Sequence, residues 1–191
     1  MEAMNHVDPE PEGWAQALAL TASLLASAPF PVYCLTSPAL GRPMIGDAHT
    51  VDGVVESIGI AYGNPLVSGP VLQVTTAPAG LAPPLDYLLD IETMETDPAR
   101  GIFPGDGPER PVNGSCQVVL AGSYRQAMLT RDGDWWGFQI QADEVTVSVV
   151  ASGPVHQAMV LSEVEDLPAL IHDRAGAIAE RVAEAGREGP S

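Results

Sequence analysis

Between Cys116 and Ala151 the chain reads CQVVLA, GS, YRQAMLTR, DG, DWWGFQIQ, AD, EVTVSVVA, four short β-prone segments parted by pairs of turn-forming or polar residues. Asp132-Gly133 suits a type I′ hairpin turn, which needs positive φ at both central residues, and Gly122-Ser123 suits type II′. Ala142-Asp143 carries the weakest turn chemistry of the three. Two-residue turns at all three sites fix a register that side-chain chemistry can test. Leu129 then faces Trp136, Ala127 faces Phe138 and Arg125 faces Ile140. The next hairpin sets Trp136 against Val149, Phe138 against Val147 and Ile140 against Val145. With Cys116, Val118 and Leu120 these residues make one face almost wholly apolar, while Gln117, Gln126, Gln139, Gln141, Thr146 and Ser148 fall on the other. The pattern predicts an antiparallel meander.

Around it the spacing predicts helices at about Pro11–Ser27, at Pro83 to about Thr96 and from an Asp166 cap onward. Short strands are expected at Val32–Leu35, Val54–Tyr62 and Val71–Thr76, the last two forming a hairpin with a longer loop. Ser37–Gly46 reads as loop, and Ala158–Leu161 as a short apolar run. Segregated helices and strands imply an α+β domain, an antiparallel meander of about 4–6 strands with N-terminal, central and C-terminal helices on one face. Residues 1–9 and 187–191 are expected as disordered tails around a single domain over 10–186, with a Pro- and Gly-rich internal linker at 97–111.

Eight basic residues against 25 acidic ones give a net charge of −17, and every basic residue is arginine. Phosphate recognition needs a basic footprint, so a nucleic-acid partner is excluded, and anionic membrane surfaces are disfavoured on the same ground. A basic protein partner is what the charge favours. The arginine-only, Ala-, Gly-, Pro- and Val-rich composition fits a GC-rich bacterial genome, and salt adaptation would leave a similar mark. Two cysteines make no disulfide framework, and Cys34 and Cys116 both fall in apolar runs, which implies buried free thiols and a reducing, cytoplasmic compartment. The apolar run Ala15–Ala28 follows an acidic leader without Arg or Lys, the wrong flank for an export signal.

Phosphate-loop, dinucleotide, zinc-protease, nucleophile-elbow and CxxC signatures are all missing from the sequence. His6, His49, His156 and His172 are scattered, so no metal site and no cofactor are expected. Asp86 and Asp90 share a helical face, with Glu95 further along, and the pattern assigns them to solvent.

The outer face of the meander holds the feature of most interest. If Trp136 points inward, Trp135 points outward opposite Thr130, near Met128, Val119, Tyr124 and Val150 among glutamines. Aromatic and thioether side chains on a largely uncharged face are typical interface anchors. The expected function is therefore a non-catalytic, acidic protein-binding module, of adaptor, secretion-chaperone or immunity type. Trp135, Met128, Tyr124 and Val119 would anchor the partner, while Asp86, Asp90 and Glu95 would steer it. A dimer through the meander face or an edge strand is the structural alternative. The catalytic alternative is a loop-built small-molecule pocket around Arg110, Arg131, His49 and His156.

Overall fold

A computed structural model describes residues 28–36, 44–62, 72–96, 112–154, 158–167 and 169–170. The chain divides into two compact units, Ala28–Glu165 and a second made of Met1–Ser27 with Asp166–Ser191. The first holds strands β1 (Tyr33–Leu35), β2 (Met44–Val51), β3 (Val54–Tyr62) and β4 (Leu72–Pro78), then helix α1 (Leu85–Thr96). Strands β5 (Val112–Leu120), β6 (Ser123–Asp132), β7 (Trp135–Ala142), β8 (Val145–Ser152) and β9 (Ala158–Glu163) follow.

The nine strands among the described residues belong to one sheet in the order β1-β9-β5-β6-β7-β8-β4-β3-β2. Its pairs are antiparallel except β5 with β9, which run parallel from Gln117↔Ala158 to Leu120↔Leu161. The expected α+β architecture is thus replaced by a predominantly β fold with a mixed sheet. The reason is visible in how the sheet bends. β1 and β4 stand six strands apart in that order, which in a flat sheet, at ~4.8 Å per strand, would separate them by about 29 Å. Yet the Tyr33 amide donates to Thr76 Oγ1 at 3.1 Å, and the Tyr62 hydroxyl donates to the Leu35 carbonyl at 2.7 Å.

The bend lies between β6 and β7. These strands pair only through Thr130↔Gly137, Arg131↔Trp136 and Asp132↔Trp135, whereas β5–β6 and β7–β8 each pair over eight positions. Past the hairpin end the two halves of the sheet part and fold toward one another. One half supplies Cys116, Val118, Leu120, Ala127, Leu129, Met159 and Leu161 to the core, and the other Ile58, Ile60, Leu72, Val74, Trp136, Phe138, Val147 and Val149. The Trp136 and Phe138 rings stack nearly parallel, with centroids 6.5 Å apart. Apolar sheet covers apolar sheet, so the core face needs no layer of helices.

The turns sit one residue away from their expected places. Ala121-Gly122 turns β5 into β6 with positive φ at both residues (49° and 74°), the type I′ requirement. Gly133, at φ 59°, opens the next turn, and Asp143, at φ 51°, opens the third. Trp136 consequently pairs with Arg131 and Ala151, and Phe138 with Val149. Each pairing moves by an even number of residues, so with a side-chain period of two every residue keeps its face. Leu129 and Ala127 do not pair with β7 at all, because the halves have already separated there.

The segment expected as loop up to Gly46 becomes β2 from Met44, joined to β3 by an Asp52-Gly53 turn with φ of 51° and 79°. In the second unit, Asp166 caps a helical turn as expected: its Oδ1 accepts from the Ala169 amide at 2.9 Å. The helix expected over Pro11–Ser27, the linker over 97–111, both tails and the chain beyond 170 lie outside the described residues.

Trp136 fills the space between the halves, and truncating it leaves a cavity that neither half can close alone. Trp136→Ala should cost about 3–5 kcal/mol, read as a lower urea midpoint at unchanged slope. A loss below about 1 kcal/mol would contradict this packing.

Candidate functional site

From Ser115 to Leu120 on β5 and from Gln126 to Leu129 on β6 the side chains alternate between the core and the outer face, while Ser123, Tyr124, Arg125 and Gln126 are all exposed. The outward set is Ser115, Gln117 and Val119 on β5, opposite Met128, Gln126 and Tyr124 on β6. Parallel pairing with β9 places Val160 beside Val119. Tyr124 is 77% exposed and Met128 59%, with Val160 also exposed and Val119 half-buried. Gln126 donates from Nε2 to Ser115 Oγ at 2.9 Å, which orders the polar side chains between them. None of these residues carries a charge. In a chain of net charge −17 this is an apolar and amide-lined strip within an acidic molecule.

Trp135 does not belong to it. The residue faces outward, as the alternation requires, but is 8% exposed because α1 covers it. Trp135, Val150 and Leu89 form a buried cluster, with Leu85 and Leu88 packed against it. Gly137 explains why the helix docks there. A Cβ at Gly137 would lie 2.8 Å from Leu85 Cδ1 and 2.9 Å from the Val149 carbonyl oxygen, so only glycine admits this approach. Gln139 completes the attachment, donating from Nε2 to the Pro83 carbonyl at 2.7 Å and to Ser148 Oγ at 2.9 Å.

The acidic residues of α1 are corrected in the same way. Asp90, expected in solvent, is 6% exposed, and Asp86 is half-buried. Both make polar contacts. The Glu95 side chain lies outside the described residues.

Of the catalytic alternative, Arg110 and His156 lie outside the described residues. His49 stands on β2 and approaches Glu56, with Nε2 3.8 Å from Oε2. Arg131 stands on β6, five strands away in the sheet order. Among the described residues no group of three or more His, Cys, Asp or Glu side chains is close enough to hold a metal. Nor is any described helix long and apolar enough to cross a membrane.

Cys34 and Cys116 are free and buried. Burial pushes the Cys34 thiol above its usual value, partly offset by a hydrogen bond with Tyr62. Burial alone raises Cys116. Tyr62 is driven up still further, first by burial, while its hydroxyl stays committed to Leu35. One polar atom is left over: Trp136 Nε1 is buried without an acceptor among the described residues, an omission that costs about 1–3 kcal/mol when nothing fills it.

Val160 is the member of the outer strip that sequence reasoning missed. Its neighbours come from a parallel pairing across the chain, and the apolar run over Ala158–Leu161 was the only local signal.

Truncating Trp135 removes the floor beneath α1, so Trp135→Ala should cost about 3 kcal/mol or more, against less than about 0.5 kcal/mol for Tyr124→Ala on the open surface. Equal urea midpoints for the two variants would contradict the placement of α1. A second expectation follows from the thiols, whose folded pKa values lie above the usual 9.0. Above that value the unfolded chain releases these protons before the folded one does, so stability falls as pH rises. Urea unfolding across pH 7 to 10.5 should show this alkaline decline, shallower in a Cys34→Ala, Cys116→Ala double variant; an unchanged slope in that variant would refute the assignment. No protein family, curated protein or solved structure matches the chain.

Proposed function

We propose that the chain is a non-catalytic protein-binding module, and that its docking surface is the outer face of β5 and β6, anchored by Tyr124 and Met128 and bordered by Val119 and Val160. The carrying observation is the exposure of an aromatic and a thioether side chain on an uncharged strip of sheet. Such side chains bury large areas at small entropic cost when they enter a partner's pocket. The occupant is a basic protein. A net charge of −17 attracts a positively charged partner over distance, while the neutral strip lets the two surfaces close without desolvating carboxylates. Two free buried thiols suit a reducing compartment such as the cytoplasm. With Trp135 under α1, the anchoring role expected of it passes to Tyr124 and Met128. With Asp90 covered, steering falls to the acidic surface as a whole.

The test is capture from native lysate followed by kinetics with the purified partner. A Tyr124→Ser, Met128→Ser double variant should speed dissociation at least about tenfold, the loss of roughly 1.4 kcal/mol. Its association should keep the salt dependence of the unmodified chain, because screening acts on the encounter. An acidic partner, binding indifferent to both salt and the double variant, or a concentration-dependent dimer that buries this strip would each overturn the proposal.

A further inference from the structure

Of the ten residues of β6, the last three pair with β7. From Ser123 to Leu129 the strand is held on one side by β5, and its other edge has no partner among the described residues. From Phe138 to Ala142, β7 is likewise paired with β8 alone among the described residues. Two strand edges therefore lie within the sheet's own order, facing the cleft where its halves part.

The backbone groups that line this cleft follow from the hairpins. A two-residue turn closes on a pair that exchanges both hydrogen bonds, and the direction of N–H and C=O alternates along each strand from there. Leu120↔Ser123 closes one such turn and Asp132↔Trp135 the next. Counted from either end, Ser123, Arg125 and Ala127 bond to β5, whereas Tyr124, Gln126 and Met128 aim N–H and C=O into the cleft. On β7 the same count from Ala142↔Val145 gives Gln139 and Gln141. Solvent reaches this place. Tyr124, Arg125, Gln126 and Met128 are exposed, and Ile140, on the core-facing side of β7, is half-buried.

We propose that the free edge of β6 accepts an extended segment of the basic partner as an added strand, hydrogen-bonded to Tyr124, Gln126 and Met128. The inference rests on the reading of the β5–β6 outer face as a docking surface, and supplies the main-chain contacts that hold the partner beside it. Strand addition draws affinity from backbone bonds and specificity from alternate side chains. The edge is regular, since the pairing of β6 with β5 runs without a shift from Gly114↔Leu129 to Leu120↔Ser123. No proline interrupts Ser123–Leu129, so neither a bulge nor a proline blunts it. Arg125 occupies the core side of this stretch, so the segment's side chains beside Ala127 and Ile140 must be uncharged and its basic residues belong at the flanks. Charge selects against a second copy, because two chains of −17 repel each other.

The probe is the peptide KRVTVTVRK, with valines on one face and basic ends, titrated into the full 15N-labelled chain while amide exchange is followed by NMR. In the free chain the Tyr124, Gln126 and Met128 amides should exchange quickly and those of Arg125 and Ala127 slowly. The peptide should protect the first three saturably; KRGPGPGRK, of equal charge and unable to form a strand, should not. Gln126→Pro removes one cleft-facing N–H, at an edge position that tolerates proline. It should weaken binding at least about tenfold, whereas Gln126→Ala should bind like the unmodified chain. Should Gln126→Pro not fold, the exchange pattern of the unmodified chain decides. Equal protection along β6 in the free chain, no protection by KRVTVTVRK, equal binding of KRGPGPGRK, or equal binding by the proline and alanine variants would each overturn the proposal. So would protection that rises with protein concentration alone, the mark of a second copy. If the Tyr124→Ser, Met128→Ser variant loses the purified partner while Gln126→Pro keeps it, strand addition is refuted and the docking face stands; if both keep it, both readings fail.

Discussion

Burial of one half of the sheet against the other is the interaction on which the rest of this structure depends. Each Val, Leu, Ile or Phe side chain removed from water contributes about 1.5–3 kcal/mol, and here the residues come in facing sets from the same continuous sheet. The fold-over is possible because β6 and β7 stay paired over only three positions. Had they remained zipped along their length, the apolar face would lie open and demand another layer. The hydrogen bonds from Tyr33 to Thr76 and from Tyr62 to Leu35 then tie the first strand of the sheet to strands far along its order. Edges are managed as well. β1 is only three residues long, and β2 is interrupted by register shifts at Ile45/Asp47 and His49/Thr50, both devices that blunt pairing with another chain.

With the core enclosed by sheet, the outer face becomes available for other uses, and it is used unevenly. Over β7 and β8 the outward side chains are Trp135, Gly137, Gln139, Ser148 and Val150, a shallow and partly apolar bed with a glycine where a helix must come closest. α1 lies on that bed. Over β5 and β6 the outward positions carry Ser115, Gln117, Val119, Tyr124, Gln126 and Met128, none of them glycine. What marks the covered face is Gly137, where a Cβ would collide with Leu85 of the helix and the Val149 carbonyl.

Much of the local pattern was legible from alternation alone. The faces of β5 to β8 follow from period two, and so does the exposure of Tyr124 and Met128. Turn positions were misjudged by one residue because Asp132-Gly133 and Gly133-Asp134 are both plausible turns, and backbone geometry chose the one with glycine first. The Asp52-Gly53 pair carried the same hairpin signal as Asp132-Gly133; reading it would have identified β2. What the sequence hides is long-range. Nothing local announces that β9 slips between β1 and β5, antiparallel to the first and parallel to the second, that β4 zips onto β8, or that α1 settles over Trp135. Those pairings are decided by which apolar surfaces remain uncovered once the local hairpins exist, and an outward tryptophan looks the same from sequence whether a partner or the chain's own helix covers it.

The β6–β7 hairpin concentrates these demands in three residue pairs. Thr130↔Gly137 provides the close approach for α1, Arg131↔Trp136 buries the tryptophan in the core while the arginine stays exposed, and Asp132↔Trp135 returns to the outer face. A slip of one residue would turn Trp136 out toward the helix and drive Trp135 into the core, where Phe138 already stacks on its neighbour. It would also replace Gly137 with a side chain that collides with Leu85 and the Val149 carbonyl. Two adjacent tryptophans of similar size are thus held apart by opposite surroundings: Leu89 and Val150 on one side, Phe138 and the opposing half-sheet on the other. The register therefore rests on both faces at once, which is how a pairing so short can fix the fold of the whole sheet.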